Sequence, residues 1–162
     1  MNKLLILLFL STFLFSCTEK TPFDKGELAL KFETIDVEGN TQTIEKHTQK
    51  GKVVMLYFWA DWCPTCKQEF PETQAYYEKL QKEGLEILAI NVKQPKEASE
   101  KFKEQFGITF PMLLNEDGKI SDKYQVEELP TNFFIDEEGK IIRKIVGWVS
   151  EKQVEIILKQ QK

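Results

Sequence analysis

Histidine and cysteine, the side chains that most often bind transition metals, are nearly absent from this sequence. Its 162 residues include one histidine, His47, and three cysteines. A structural zinc site needs about four such ligands, so we predict no metal site. Three cysteines are also too few for the disulfide framework of a small secreted scaffold. The fold must therefore depend on an apolar core, for which 41% hydrophobic residues are sufficient.

Excess basic charge is also lacking. The formal net charge is −4, and lysine and arginine form no block anywhere in the chain. Proteins that bind nucleic acid neutralise phosphates with clustered basic side chains, so we expect no nucleic-acid partner. The sequence shows no internal repeat and no second domain, and its length suits one domain with a short extension.

The one long apolar run lies at the N-terminus. Residues 4–15 are almost entirely apolar and follow Lys3, which is typical of a secretory signal and too short for a membrane span. The run ends in Leu14-Phe15-Ser16-Cys17, which resembles a bacterial lipobox. This predicts a lipoprotein signal peptide over residues 1–16 and lipid attachment at Cys17. The chain would then be exported and held at the periplasmic or extracytoplasmic face of a membrane. An ordinary signal peptide with a chance cysteine is the alternative.

Residues 17–27 show no periodicity and are predicted to be the lipidated cysteine and a short tether. A folded domain over residues 28–162 should follow. Its pattern predicts a β-hairpin and then the order β, α, β, α, β, β, α. The middle βαβ unit implies parallel strands joined by a right-handed crossover, and the last two strands form an antiparallel hairpin. We therefore predict an α/β fold with a mixed central sheet flanked by helices.

The other two cysteines follow a strand that reads as buried on both faces. Residues 53–60 are apolar and uncharged, and Cys63-Pro64-Thr65-Cys66 then opens a helix. Side chains at i and i+3 lie about 5–6 Å apart on a helix, close enough to bond after a small adjustment. A helix N-terminus favours the Cys63 thiolate. We predict a redox dithiol in which Cys63 is the nucleophile and Cys66 resolves the mixed disulfide. A static structural disulfide is the alternative; covalent haem attachment is disfavoured because Lys67, not histidine, follows Cys66.

Residues 58–66 resemble the active-site signature of the thioredoxin superfamily. The continuation over residues 67–71, the leading hairpin and residues 129–136 resemble the TlpA/ResA-type subgroup of membrane-tethered thiol–disulfide oxidoreductases. The resemblance implies a thioredoxin-like three-layer fold and no cofactor beyond a redox-active Cys63–Cys66 disulfide. It also implies reduction of disulfides in exported proteins, apocytochrome c among them, and a membrane electron donor that recharges the dithiol. We expect the protein to be a monomer.

The resemblance also assigns roles to single residues. Pro130 matches the family's cis-proline, which shapes the groove for the partner's backbone; an ordinary trans proline is the alternative. Glu69 matches an active-site glutamate and is predicted to exchange a proton with the thiol of Cys66; a solvated helix glutamate is the alternative. Residues expected to contact the substrate are Trp62, Pro64, Thr65, Leu129 and Pro130.

Tyr57 departs from the pattern, because cytoplasmic thioredoxins have a buried aspartate at this strand position. Tyrosine cannot act as a carboxylate base at neutral pH, which increases the interest of Glu69. Trp59 is expected to pack in the core, His47 to lie on the surface in a polar loop, and residues 136–138 to form a solvated acidic turn. Two other functions stay open on the same fold, a thiol peroxidase and a non-enzymatic metal- or haem-handling module.

Overall fold

The structure, a computed structural model of the chain, describes residues 23–161. Within that range the strands are β1 (Thr34–Ile35), β2 (Thr41–Gln42), β3 (Val53–Trp59), β4 (Leu85–Asn91), β5 (Met112–Leu113), β6 (Thr131–Ile135) and β7 (Ile141–Val146). The helices are α1 (Glu45–Thr48), α2 (Pro64–Leu80), α3 (Lys96–Phe106), α4 (Lys119–Lys123) and α5 (Glu151–Lys159), and a 3₁₀ turn (Gln81–Glu83) extends α2.

Five of these strands form a mixed central sheet in the order β5-β4-β3-β6-β7. β3 pairs in parallel with β4 and antiparallel with β6, so β3 lies at the centre of the sheet. All seven residues of β3 are buried, as the uncharged run predicts. The sheet is flanked by helices on both faces, and the predicted thioredoxin-like α/β fold is confirmed.

Alternate side chains of β3 contribute to two separate cores, because successive residues of a strand point to opposite faces. Met55, Tyr57 and Trp59 face the core that α2, α3 and α5 cover. Leu56 and Phe58 face the second core, which contains Ile120 and Tyr124 from the α4 region and the N-terminal Phe23; its members include Phe23, Ile44, Leu56, Phe58, Ile120, Tyr124 and Phe133. α2, which opens at the dithiol, is therefore fixed against the central strand.

The predicted N-terminal hairpin is present but small. Only Thr34–Ile35 and Thr41–Gln42 pair as an antiparallel two-stranded sheet. Leu28 makes an isolated bridge to Lys140 instead of extending the hairpin.

The predicted tether extends too far into the folded domain. Phe23 is 7% exposed and packs against Phe133, with ring centroids 5.4 Å apart. The N–H of Gly26 donates to the carbonyl of Ile141 at 2.8 Å. Residues 23–27 belong to the domain because the edge of β7 offers backbone partners that no local pattern reveals.

The predicted signal peptide and the lipid-attachment residue Cys17 lie outside the described residues. Within residues 23–161, no helix combines the length and the apolar character needed to cross a membrane.

Candidate active site

The dithiol lies where the central strand runs into α2. β3 ends at Trp59, and Cys63 is the N-cap of α2, with extended backbone angles (φ −81°, ψ 110°). Pro64 occupies the first helical turn, where its missing N–H leaves no hydrogen bond unmade. The sequence-predicted position of Cys63 at a helix N-terminus is therefore what the structure shows.

The two cysteines are joined as a disulfide, with their Cα atoms 5.3 Å apart. Cys63 is 3% exposed and Cys66 is completely buried. The N–H of Cys66 donates to Sγ of Cys63 at 3.1 Å. In the reduced protein, the same N–H and the N-terminal end of the helix dipole would stabilise a thiolate on Cys63. The less completely buried cysteine is thus also the one that the helix activates.

Glu69 lies one helical turn beyond Cys66 and is completely buried. Its Oε1 accepts the N–H of Val149 at 2.9 Å, which ties α2 to the segment between β7 and α5. Burial raises the pKa of Glu69 to about 7; Glu72 adds to the rise, while the Val149 N–H and Tyr57 oppose it. The structure excludes a solvated helix glutamate, and it shows a buried carboxyl that can gain or lose a proton at neutral pH on the helical turn after Cys66.

Tyr57 faces this carboxyl from β3. Its hydroxyl and Oε2 of Glu69 are both buried without a hydrogen bond of standard geometry, yet each affects the other's pKa. Burial, with the nearby Glu69 carboxylate, raises the pKa of Tyr57 well above its ordinary value. Tyr57 therefore stays neutral and is available to Glu69 as a donor.

The peptide bond between Leu129 and Pro130 is cis, as the resemblance implies, and Pro130 immediately precedes β6. Pro130 is buried and Leu129 partly buried. The N–H of Gly147 donates to the carbonyl of Pro130 at 2.8 Å. This hydrogen bond brings the segment after β7 beside the proline.

The remaining site residues separate into exposed and buried groups. Trp62 is 65% exposed, and Pro64 and Thr65 are exposed beside it, so all three are available to a partner. Trp59 is fully buried and packs on Phe102, with ring centroids 4.5 Å apart. The sequence-based expectation that Trp59 packs in the core is confirmed.

Sequence reasoning missed the segment Gly147–Val149. Its outer residues are hydrogen-bonded to Pro130 and Glu69, and Trp148 between them is 41% exposed. The signal available in the sequence was a glycine and a tryptophan directly after an antiparallel edge strand. That signal does not reveal the site, because Val149 and its partner Glu69 are 80 residues apart in the sequence.

His47 is not on the surface as predicted. It is 5% exposed, its Nδ1 lies 3.2 Å from Oε2 of Glu86, and its Nε2 lies 3.0 Å from Oε1 of Gln42. The prediction was wrong because the burial depends on Glu86, 39 residues away on β4. The acidic turn at residues 136–138 is solvent-accessible, as expected. Within residues 23–161, no three histidine, cysteine, aspartate or glutamate side chains are grouped to hold a metal ion.

Comparison with known proteins agrees with this geometry. The model of the AhpC/TSA family matches residues 26–144, well over half of the chain. The chain belongs to the AhpC/TSA family. Within this thioredoxin-fold family it is 39% identical over 137 residues to the thiol–disulfide oxidoreductase ResA of Geobacillus thermodenitrificans, covering 85% of this chain and 78% of that protein. It is 37% identical to ResA of Bacillus subtilis over 135 residues, covering 83% and 74%.

A solved structure supports the same relationship. The crystal structure of StoA from Bacillus subtilis superimposes with a TM-score of 0.68 at 27% identity, covering 78% of this chain and 95% of that one. This member of the AhpC/TSA family is thus a thiol–disulfide oxidoreductase with a ResA/StoA-like fold. Its Cys63–Cys66 pair is close enough to form and break a disulfide.

Proposed function

We propose that this oxidoreductase reduces disulfides in exported proteins, apocytochrome c among them, outside the cytoplasm and anchored to a membrane by a lipid on Cys17. The lipobox-like sequence before Cys17 supports the location. The observation that carries the thiol–disulfide exchange itself is the Cys63–Cys66 pair at the start of α2, with the completely buried Glu69 one turn beyond Cys66. The resemblance to the TlpA/ResA-type subgroup supports reduction as its direction.

The exchange proceeds in two thiol–disulfide steps. The Cys63 thiolate attacks one sulfur of the substrate disulfide, which forms a mixed disulfide and releases the first substrate thiolate. Glu69 accepts the proton of the Cys66 thiol, and the resulting thiolate attacks Sγ of Cys63. That step releases the second substrate thiolate and closes the Cys63–Cys66 disulfide. Two electrons pass to the substrate, and the proton held by Glu69 is available to a departing thiolate.

Substrate docking would use the exposed side of the dithiol. Trp62, Pro64 and Thr65 present accessible surface there, and the half-buried Leu129 and the cis Pro130 would form the opposite wall. The oxidised protein needs a dithiol of suitable potential to reduce it, and a membrane-held donor is the partner that fits a lipid-anchored domain. The protein requires no cofactor in this scheme and acts as a monomer.

The decisive experiment traps the partner on Cys63. In host cells producing Cys66→Ser, a mixed disulfide on Cys63 cannot be resolved, so partner proteins should accumulate as adducts that dithiothreitol releases. Cys63→Ser is the matched control and should trap none. If the partners are exported proteins with paired cysteines, the proposal stands; adducts with cytoplasmic proteins alone would contradict it. Radiolabelled palmitate should enter the wild type and be absent from Cys17→Ala.

Purified protein separates the alternatives. The wild type should catalyse reduction of insulin and of an oxidised peptide containing Cys-X-X-Cys-His, and Cys63→Ser should lose both activities. Turnover of hydrogen peroxide at a rate above that of disulfide reduction would favour the thiol peroxidase. Stoichiometric binding of Cu(I) or haem without disulfide reduction would favour the metal- or haem-handling module.

A further inference from the structure

The loop between β3 and α2 holds its residues unequally. Cys63 is fixed by the turn and the helix: its N–H donates to the carbonyl of Ala60 at 3.2 Å, and its carbonyl accepts the N–H of Lys67 at 3.2 Å. Trp62, directly before it, is 65% exposed, so packing does not hold its ring. The orientation of Trp62 must depend on how firmly the backbone of Asp61 is held.

Gln94 holds Asp61 from the loop that follows β4. Its Oε1 accepts the backbone N–H of Asp61 at 2.8 Å, and its Nε2 donates to Oδ1 of the same residue. The same Oε1 also accepts Nδ2 of Asn91 at 3.0 Å. One side-chain amide therefore fixes both the backbone and the side chain of the residue before Trp62.

The loop that carries Gln94 is itself held by contacts with the segment around α4. The preceding residue, Lys93, has a left-handed backbone (φ 54°), and its N–H donates to the carbonyl of Asn115 at 3.1 Å. Its Nζ lies 2.8 Å from Oδ1 of Asp122. A Cβ at Gly118 would come within 2.1 Å of Lys93 Cε, so the lysine side chain lies directly over this glycine. Gln94 is thus a preformed support, and it does not have to be ordered when substrate binds.

We infer that Gln94 is a positioning residue, which sets Trp62 for contact with a protein substrate through its hold on Asp61. The inference rests on the proposed reduction of protein disulfides. Cys63 has its own hydrogen bonds, so loss of Gln94 should weaken docking and leave the chemistry of the sulfurs in place. The kinetic signature of such a loss is a higher KM with little change in kcat.

The test compares Gln94→Ala with a matched amide, using the full chain purified in detergent. Gln74 makes the same two-sided contact far from Trp62: its Oε1 accepts the N–H of Thr109 and its Nε2 donates to Thr109 Oγ1, both at 2.9 Å. In the insulin-reduction assay, we expect Gln94→Ala to raise the KM for insulin about three- to tenfold and to change kcat less than about twofold. Gln74→Ala should leave both near the wild-type values. A ¹⁵N heteronuclear NOE on the Trp62 indole should fall in Gln94→Ala alone.

A swap of the two polar groups distinguishes positioning from general destabilisation. Gln94→Glu alone places a second carboxylate beside Asp61 and should raise KM at least as much as Gln94→Ala. Adding Asp61→Asn restores an amide paired with a carboxylate, with the donor and acceptor exchanged, and should return KM toward the wild type.

The outcomes separate this inference from the function on which it rests. A wild type that fails to reduce any disulfide contradicts the proposed function. An active wild type whose KM and Trp62 order are unchanged by Gln94→Ala contradicts the positioning role. The positioning role is also contradicted if Gln74→Ala raises KM as much as Gln94→Ala does. It is contradicted as well if Gln94→Ala lowers kcat by the same factor by which it raises KM.

Discussion

Replacing Glu69 with glutamine should change how the stability of the disulfide form depends on pH. Burial raises the pKa of Glu69 from 4.5 to about 7. Between these values the folded protein keeps a proton at this site that the unfolded chain has released. The wild type should therefore lose stability as pH rises through this window, because a completely buried side chain must become charged.

The size of this effect follows from the two pKa values. One pKa unit corresponds to about 1.4 kcal/mol, so ionising Glu69 should lower the free energy of unfolding by about 3 kcal/mol between pH 4.5 and about 7. Glutamine has nearly the same volume, and its Oε1 can still accept the N–H of Val149. Glu69→Gln should therefore remove this pH dependence and be the more stable protein above neutral pH, by up to about 3 kcal/mol.

Urea unfolding of the oxidised protein, followed by far-ultraviolet circular dichroism across this pH range, measures the difference directly. Glu104→Gln, on the exposed side of α3, is a control that removes a carboxyl without removing a buried one. In the wild type and in Glu104→Gln, the free energy of unfolding should fall equally as pH rises from 4.5 to about 7, and in Glu69→Gln this fall should be absent. If all three curves are parallel, Glu69 does not have a raised pKa, and its role as the base for Cys66 fails with it.

The remaining predictions concern activity and other buried side chains. Glu69→Gln should slow insulin reduction at pH 7 by about a hundredfold and flatten the pH–rate profile near neutrality; an unchanged profile would assign the proton transfer to another group. Tyr57→Phe removes a contact that lowers the pKa of Glu69, so the Glu69 titration, followed by the ¹³Cδ NMR shift, should move to higher pH. Burial alone would raise the pKa of Glu86, but hydrogen bonds from His47, Lys52 and Tyr77 lower it to about 2. The stability that ionised Glu86 adds to the folded protein is therefore fully present above pH 4.5 and lost as pH falls toward 2. Glu86→Gln should therefore cost about 3 kcal/mol at pH 7 and almost nothing at the acid limit, as measured by urea unfolding; a cost independent of pH would refute this. Phe102→Ala removes the ring that packs on Trp59 at 4.5 Å and should lower the unfolding free energy by about 3–5 kcal/mol; a loss below about 1 kcal/mol would show that the core closes around the gap.

The active-site strand and helix could be predicted because their signals are local. An uncharged apolar run predicts a central strand at any position in the chain, and Cys63-Pro64 suits a helix start through the backbone geometry of those two residues alone. The two-residue spacing between Cys63 and Cys66 likewise places both sulfurs on one helical turn. These features depend on neighbours within about one turn of helix or strand, so no tertiary contact was needed to infer them.

The tertiary structure decided which polar side chains are buried, because burial depends on residues that are distant in sequence. Burial raises the pKa of Glu69 to near neutral, and Glu69 is buried where α2 meets the segment between β7 and α5, whose Val149 contact lies 80 residues away in the sequence. His47 is buried where it contacts Glu86 of β4. Phe23 is buried where its ring packs against Phe133 of β6. Local sequence patterns were therefore sufficient to predict a redox dithiol on a thioredoxin-like fold. Only the folded chain determined which carboxyl is buried and has a raised pKa, since a charge loses its water only where separate parts of the chain meet.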